Sequence, residues 1–221
     1  MKDYSKQNNE RIVKNTLTLY VRTALVMLVS LFTSRVVLSA LGIEDYGIYN
    51  IVGGVVVMFS VVSGALSASI SRFITFELGR ADMRKLRRIF STSINIQVGI
   101  SLLILILGET VGIWFLNYKM NIPLDRLEAA NWVLQCSLIT FVINLVSVPY
   151  NAVIIAHEKM SAFAYVSILE VILKLLIAYL LYISIWDKLV VYSLLLVLVA
   201  MTIRIVYGVY CNRHFFEKIG R

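Results

Sequence analysis

The sequence predicts an all-α membrane protein, a bundle of six transmembrane helices, and three observations carry that expectation. Apolar residues make up 59% of the chain and charged residues 15%, with a mean hydropathy of +0.82, well beyond an ordinary soluble domain. The apolar residues fall in long blocks without sustained alternation of apolar and polar positions, so the blocks read as helices and not as barrel strands. Lysine and arginine gather in alternate connections, which is the pattern that orients membrane spans. The same asymmetry accounts for the formal charge of +8, and no nucleic-acid partner is expected. Cys136 and Cys211 lie inside or at the end of apolar blocks with no CxxC spacing, so neither a disulfide framework nor a metal site is expected.

Residues 1–14 are polar and carry Lys2, Lys6, Arg11 and Lys14, a cytoplasmic anchor for the first span. The first apolar block is too long for the core of a cleavable signal peptide, and another span follows it closely. In that block, residues 15–41, Asn15, Thr18, Arg22, Ser30 and Thr33 share one helical face. Arg35 falls about 140° from Arg22 on an ideal wheel, so a straight helix cannot aim both at one point. A cation inside an apolar run is costly and needs a partner or a hydrated surrounding. The turn Gly42-Ile43-Glu44-Asp45-Tyr46-Gly47 then reverses the chain at the water boundary, offering Glu44 and Asp45 as partners for Arg35. The second span, residues 46–76, places Gly53, Ser60, Ser63, Gly64, Ser67 and Ser71 on one face. Spacing of this kind favours close approach of another helix, with lining of a substrate path as the other use. Residues 77–90 follow with Arg80, Arg84, Lys85, Arg87 and Arg88, a short juxtamembrane cluster that marks the cytoplasmic side and meets anionic headgroups.

The third span covers residues 91–116 and carries Glu109 near its outer end. After a short outer loop, the fourth span, residues 129–156, shows a regular polar stripe of Ser137, Thr140, Asn144, Ser147 and Asn151. Such a stripe faces protein or water, and Pro149 within it predicts a kink. The fifth span, residues 161–186, holds Glu170 and Lys174 four apart near mid-depth, spaced to pair on one face. The sixth, residues 189–211, carries Arg204 and leads into a tail, residues 212–221. Of the 21 basic residues, thirteen then lie inside, three outside and five within spans, so both termini are expected in the cytoplasm.

The stretch RVVLSALGIEDYGIYNIVGG, an arginine ahead of an LGxxxYGxY turn, resembles the N-terminal portion of bacterial lipid-linked oligosaccharide flippases. These O-antigen and capsule translocases belong to the multidrug/oligosaccharidyl-lipid/polysaccharide exporter superfamily. The six-span order with a basic loop after the second span agrees with that resemblance. It implies flipping of an undecaprenyl-pyrophosphate-linked glycan across the bacterial inner membrane by alternating access, for surface polysaccharide or lipopolysaccharide assembly. Members of that family usually have two six-helix lobes. This chain therefore resembles one N-terminal lobe, and a missing second lobe or a partner chain is expected.

A pyrophosphate headgroup crossing hydrocarbon needs cations and hydroxyls facing a hydrated cavity, and arginine offers paired donors to phosphate. Arg22 and Arg35 are the first candidates, with Arg72 near the cytoplasmic mouth; Thr18, Thr33, Asn144 and Ser147 are candidates for sugar hydroxyls. Arg22, Arg72 and Arg204 also have the reach to extend their charge to the boundary. Glu170 and Lys174 form either a structural ion pair or part of a coupling site for a proton or sodium gradient. No cofactor is expected, and the absence of GxxxxGK[ST], HExxH and GxSxG argues against an enzyme. Two other readings stay open: an ion-coupled multidrug or cation antiporter of the same superfamily, and a non-transporting membrane assembly protein.

Overall fold

A computed structural model of the protein describes residues 2–80 and 82–216, with side chains for all of these except residues 2–12, 62 and 216. The side chains of Lys2, Lys6 and Arg11 of the expected anchor, and residues 217–221 of the expected tail, lie outside that description. The regular structure among the described residues is helical throughout. Helix α1, Lys2–Val57, is two limbs joined at Gly42, whose φ of 84° and ψ of 171° break the helix at one residue. That backbone region is accessible essentially to glycine alone, which explains a sharp turn without a loop. The second limb returns alongside the bundle, with Tyr49 edge-on to Tyr192 at 5.0 Å between ring centroids.

Two residues, Met58 and Phe59, interrupt the helix again before α2, Ser60–Gly79. The break is a tightened turn, with the Phe59 amide donating to the Val56 carbonyl at 3.1 Å. The expected second span is thus two helices with an irregular junction in its middle. Asp82 starts α3, Met83–Leu107, by accepting from the Lys85 amide at 3.1 Å. That amide holds the Asp82 carboxyl below the ordinary aspartate range. The same rod continues through a π-turn, Gly108–Gly112, into the short α4, Ile113–Tyr118.

Helix α5, Leu127–Ala156, is the central post, packed against α1, α2, α3, α6 and α7. It runs through Pro149 without interruption of the helix, so the expected kink does not break it. Helices α6, Met160–Leu180, and α7, Lys188–Cys211, complete the bundle. Helix α6 ends six residues before the expected limit of the fifth span, and Ile183, Ile185 and Trp186 beyond it are exposed. Among the described residues, five helical stretches are long and apolar enough to cross a membrane, two of them Val13–Val57 and Met83–Tyr118. The chain is a multi-pass membrane protein. Because lipid is as apolar as leucine, this bundle is held by close packing of side chains such as Leu134, Leu138 and Leu145 and not by water exclusion.

At the end of the bundle away from the arginine-rich connection, one ion network ties three connections together. Arg126 donates to Asp45 at 2.9 Å and to Asp187 at 2.6 Å. Asp187 also caps α7 by accepting from the Leu189 amide at 3.0 Å. Asp45 is therefore committed to Arg126 and not to Arg35, which makes no ion pair among the described residues.

Candidate substrate cavity

Three polar side chains of α5, Ser137, Thr140 and Asn144, recur at helical spacing and so share one face. They open into a cavity of about 630 Å³, whose other walls come from the second limb of α1, the start of α2, and α7. Gly53 and Gly54 approach it from α1, Ser60 and Ser63 from α2, and Ser193 from α7. The Met58–Phe59 break falls on this wall, between Val57 and Ser60. Broken helices in membranes occur where the freed backbone meets protein or a polar cavity, and this one fits that rule.

No acidic or basic side chain lines the cavity. Its polar surface is hydroxyl and amide, beside the rings of Tyr49 and Phe141. Ser137, Thr140 and Asn144 have no hydrogen-bond partner among the described residues, so their donors and acceptors are available to whatever enters. Ser193 and Asn50 are partly engaged, donating to the Val190 and Tyr46 carbonyls at 2.8 and 2.7 Å. A neutral surface of this kind can bind many-hydroxyl compounds by hydrogen bonding and ring stacking, and it lacks the fixed charge that would hold a small ion.

A smaller cavity of about 210 Å³ adjoins it and shares Tyr49 and Asn50 as common walls. Ser30, Thr33, Ser34 and Lys174 also line it. Lys174 donates to Glu170 at 2.6 Å, an ion pair with both side chains partly exposed. An ammonium has three donors, and Glu170 takes one of them. The small cavity therefore carries the cationic group that the large one lacks.

The residues singled out from sequence are dispersed. Asn144 lines the large cavity and Thr33 the small one, where the Thr33 hydroxyl donates to the Val29 carbonyl at 2.7 Å. Ser147 is buried and donates to the Ile143 carbonyl at 2.8 Å, and Thr18 donates to the Lys14 carbonyl at 2.8 Å. Neither lines either cavity. Arg22 lies over the Phe163 ring of α6, 4.3 Å from its centroid, with its Nε buried and without a hydrogen-bond partner. Arg35 and Arg72 are exposed. The three arginines are not brought together, and none lines these two cavities. Glu109 is held by Gln135, whose Nε2 donates to it at 3.0 Å.

Helix α2 of the second span packs on α5, but the glycines of the small-residue face are not points of close approach within this chain. A Cβ added at Gly53, Gly54 or Gly64 would meet nothing within 4 Å. These glycines leave space along the cavity wall and the outer surface and do not let a helix of this chain approach. Sequence reasoning missed Tyr49, Asn50 and the Met58–Phe59 break. The signal for the first two was present, a tyrosine and an amide one turn beyond the Gly-bracketed turn.

No curated protein and no solved structure matches the chain. The family model MatE matches residues 19–180, from the first limb of α1 to the end of α6, so the chain belongs to the MatE family of all-α membrane transporters.

Proposed function

We propose that this transporter of the multidrug/oligosaccharidyl-lipid/polysaccharide exporter superfamily translocates a lipid-linked oligosaccharide. The observation that supports this reading is the large cavity lined by Ser137, Thr140, Asn144, Ser60 and Ser63 with no charged wall residue. Sugars present many hydroxyls and apolar ring faces, and this wall offers hydroxyls, amides and two aromatic rings. The adjoining small cavity with Lys174 is where the phosphate-bearing link would sit, with Ser30, Thr33 and Ser34 as further donors. In this assignment Lys174 takes the part that charge pattern alone gave to Arg22 and Arg35. The membrane is the bacterial inner membrane with both termini in the cytoplasm, so the glycan enters at the arginine-rich end and leaves at the Arg126 end. Movement is by alternating access driven by an ion or substrate gradient, with a second lobe or partner chain closing the path.

The antiporter reading rests on Glu170, a carboxylate at mid-depth beside the small cavity. The two readings separate in one experiment in liposomes that hold the protein together with the second lobe or partner chain that closes its path. A fluorescent undecaprenyl-pyrophosphate-linked oligosaccharide in the bilayer reports flipping by its accessibility to an impermeant quencher, and an entrapped cationic dye reports efflux under a proton or sodium gradient. Glycan flipping without dye efflux is the expected result; dye efflux without glycan flipping would assign the chain to the antiporters.

A further inference from the structure

A second polar cleft lies at the arginine-rich end, on a different part of the bundle from the cargo cavity. Helices α3 and α7 both pack on α5, and between them is a cavity of about 590 Å³. Its walls are Arg87, Phe90 and Ser91 from α3, Tyr150 from α5, and Gly208 and Asn212 from the end of α7. The Tyr150 ring is held on two sides. Phe90 meets it edge-on at 5.1 Å between centroids, and the Arg204 guanidinium lies 3.9 Å from its centroid. Arg204 reaches along α7 towards Gly208, where an added Cβ would stand 3.2 Å from its Nη1. A glycine at 208 thus keeps the path of the guanidinium clear.

Neither Arg87 nor Arg204 has a carboxylate partner among the described residues, and no acid lines the cleft. A guanidinium stacked on an aromatic face keeps its edge donors free, which suits a phosphate oxygen. The apolar runs of α3 and α7 give way to polar residues at this level, which is headgroup depth for a spanning helix. Towards the bilayer centre the same faces carry Ile94 and Val98 on α3 and Met201 and Ile205 on α7. Val98, Met201 and Ile205 are exposed, so apolar surface continues from the basic cleft.

We propose that this cleft is a binding site for one anionic membrane phospholipid, with the headgroup phosphate between Arg87 and Arg204 and an acyl chain along the apolar surface of Val98, Met201 and Ile205. The apolar continuation favours a lipid over a free phosphate ion. The site is independent of which cargo the large cavity takes.

Native mass spectrometry of the full chain in neutral detergent tests this, with phosphatidylglycerol, phosphatidylcholine and inorganic phosphate as probes. One phosphatidylglycerol should be retained in preference to phosphatidylcholine, and millimolar inorganic phosphate should not displace it. Arg87→Gln with Arg204→Gln should weaken retention by about tenfold, in line with the loss of charge-assisted hydrogen bonds. Ser91→Trp, which fills the cleft and removes no charge, should do the same if the arginine variant does not fold. Arg84→Gln with Arg88→Gln, in the same basic segment but outside the cleft, should leave retention within about twofold. Equal loss in that control would make the attraction a diffuse effect of the basic segment and overturn the site. Equal retention of phosphatidylcholine, or displacement by phosphate, would overturn the assignment to an anionic lipid.

Discussion

Arg126 holds two carboxylates from different connections, so removing it does more than delete one exposed charge. The Asp45 side chain is only 7% exposed, and in Arg126→Ala it would remain buried without its partner. Because Arg126 and Asp187 are themselves about a third exposed, the expected loss is about 1–3 kcal/mol, at the lower end for a broken buried pair. A lower melting temperature in detergent checks it. Adding Asp45→Asn to Arg126→Ala should recover part of the loss, since the orphaned charge is then gone. Arg126→Lys should restore little, because a single ammonium on a flexible stem does not span both carboxylates as a planar fork does. Local periodicity could not reveal this network: its three members lie in separate connections and meet only through the packing of the helices. What the pattern did reveal was an acid near Arg35, and the nearest cation in sequence proved to be the wrong partner.

At the level of the element, two glycines carry different constraints and predict different failures. Gly42→Ala meets no atom within 4 Å, so its cost is wholly that of the backbone, about 1–3 kcal/mol for an L residue in this region. Gly108 is the opposite case. A Cβ there would stand 2.5 and 2.6 Å from the two δ carbons of Leu138, a side chain that is itself 1% exposed. Gly108→Ala should destabilise by about 1–3 kcal/mol through overpacking at the π-turn. Gly108→Ala combined with Leu138→Ala should cost less than the sum of the two single changes, as a double-mutant cycle of melting curves would show. The turn at Gly42 was legible because two glycines and two acids interrupt an apolar run. The break at Met58–Phe59 was not, because neither residue is a helix breaker and no glycine or proline stands at the junction.

For the whole molecule, the all-α membrane fold followed from composition and from the absence of alternation, and the structure has that architecture. The candidate site was only partly legible. Ser137, Thr140 and Asn144 stood out because polar residues at helical spacing in a hydrophobic span must face something other than lipid, and they do line the cavity. The arginines stood out for an equally sound reason, the cost of a charge in hydrocarbon, yet they are not gathered at the cavities: Arg22 stacks on Phe163, and Arg35 and Arg72 lie on the surface of the bundle. A charge in an apolar run marks an energetic problem, and its solution is not always a ligand. In the proposed function the glycan is therefore met by neutral groups, and only its phosphate-bearing link by a cation, Lys174. The decisive comparison is the rate of lipid-linked oligosaccharide flipping in liposomes between the wild type and Asn144→Leu, which keeps side-chain bulk and removes the amide. If the amide of Asn144 holds the glycan, the rate falls about fivefold or more, the worth of one hydrogen bond, with an unchanged melting temperature. A rate within about twofold of wild type, at equal protein in the membrane, would contradict it.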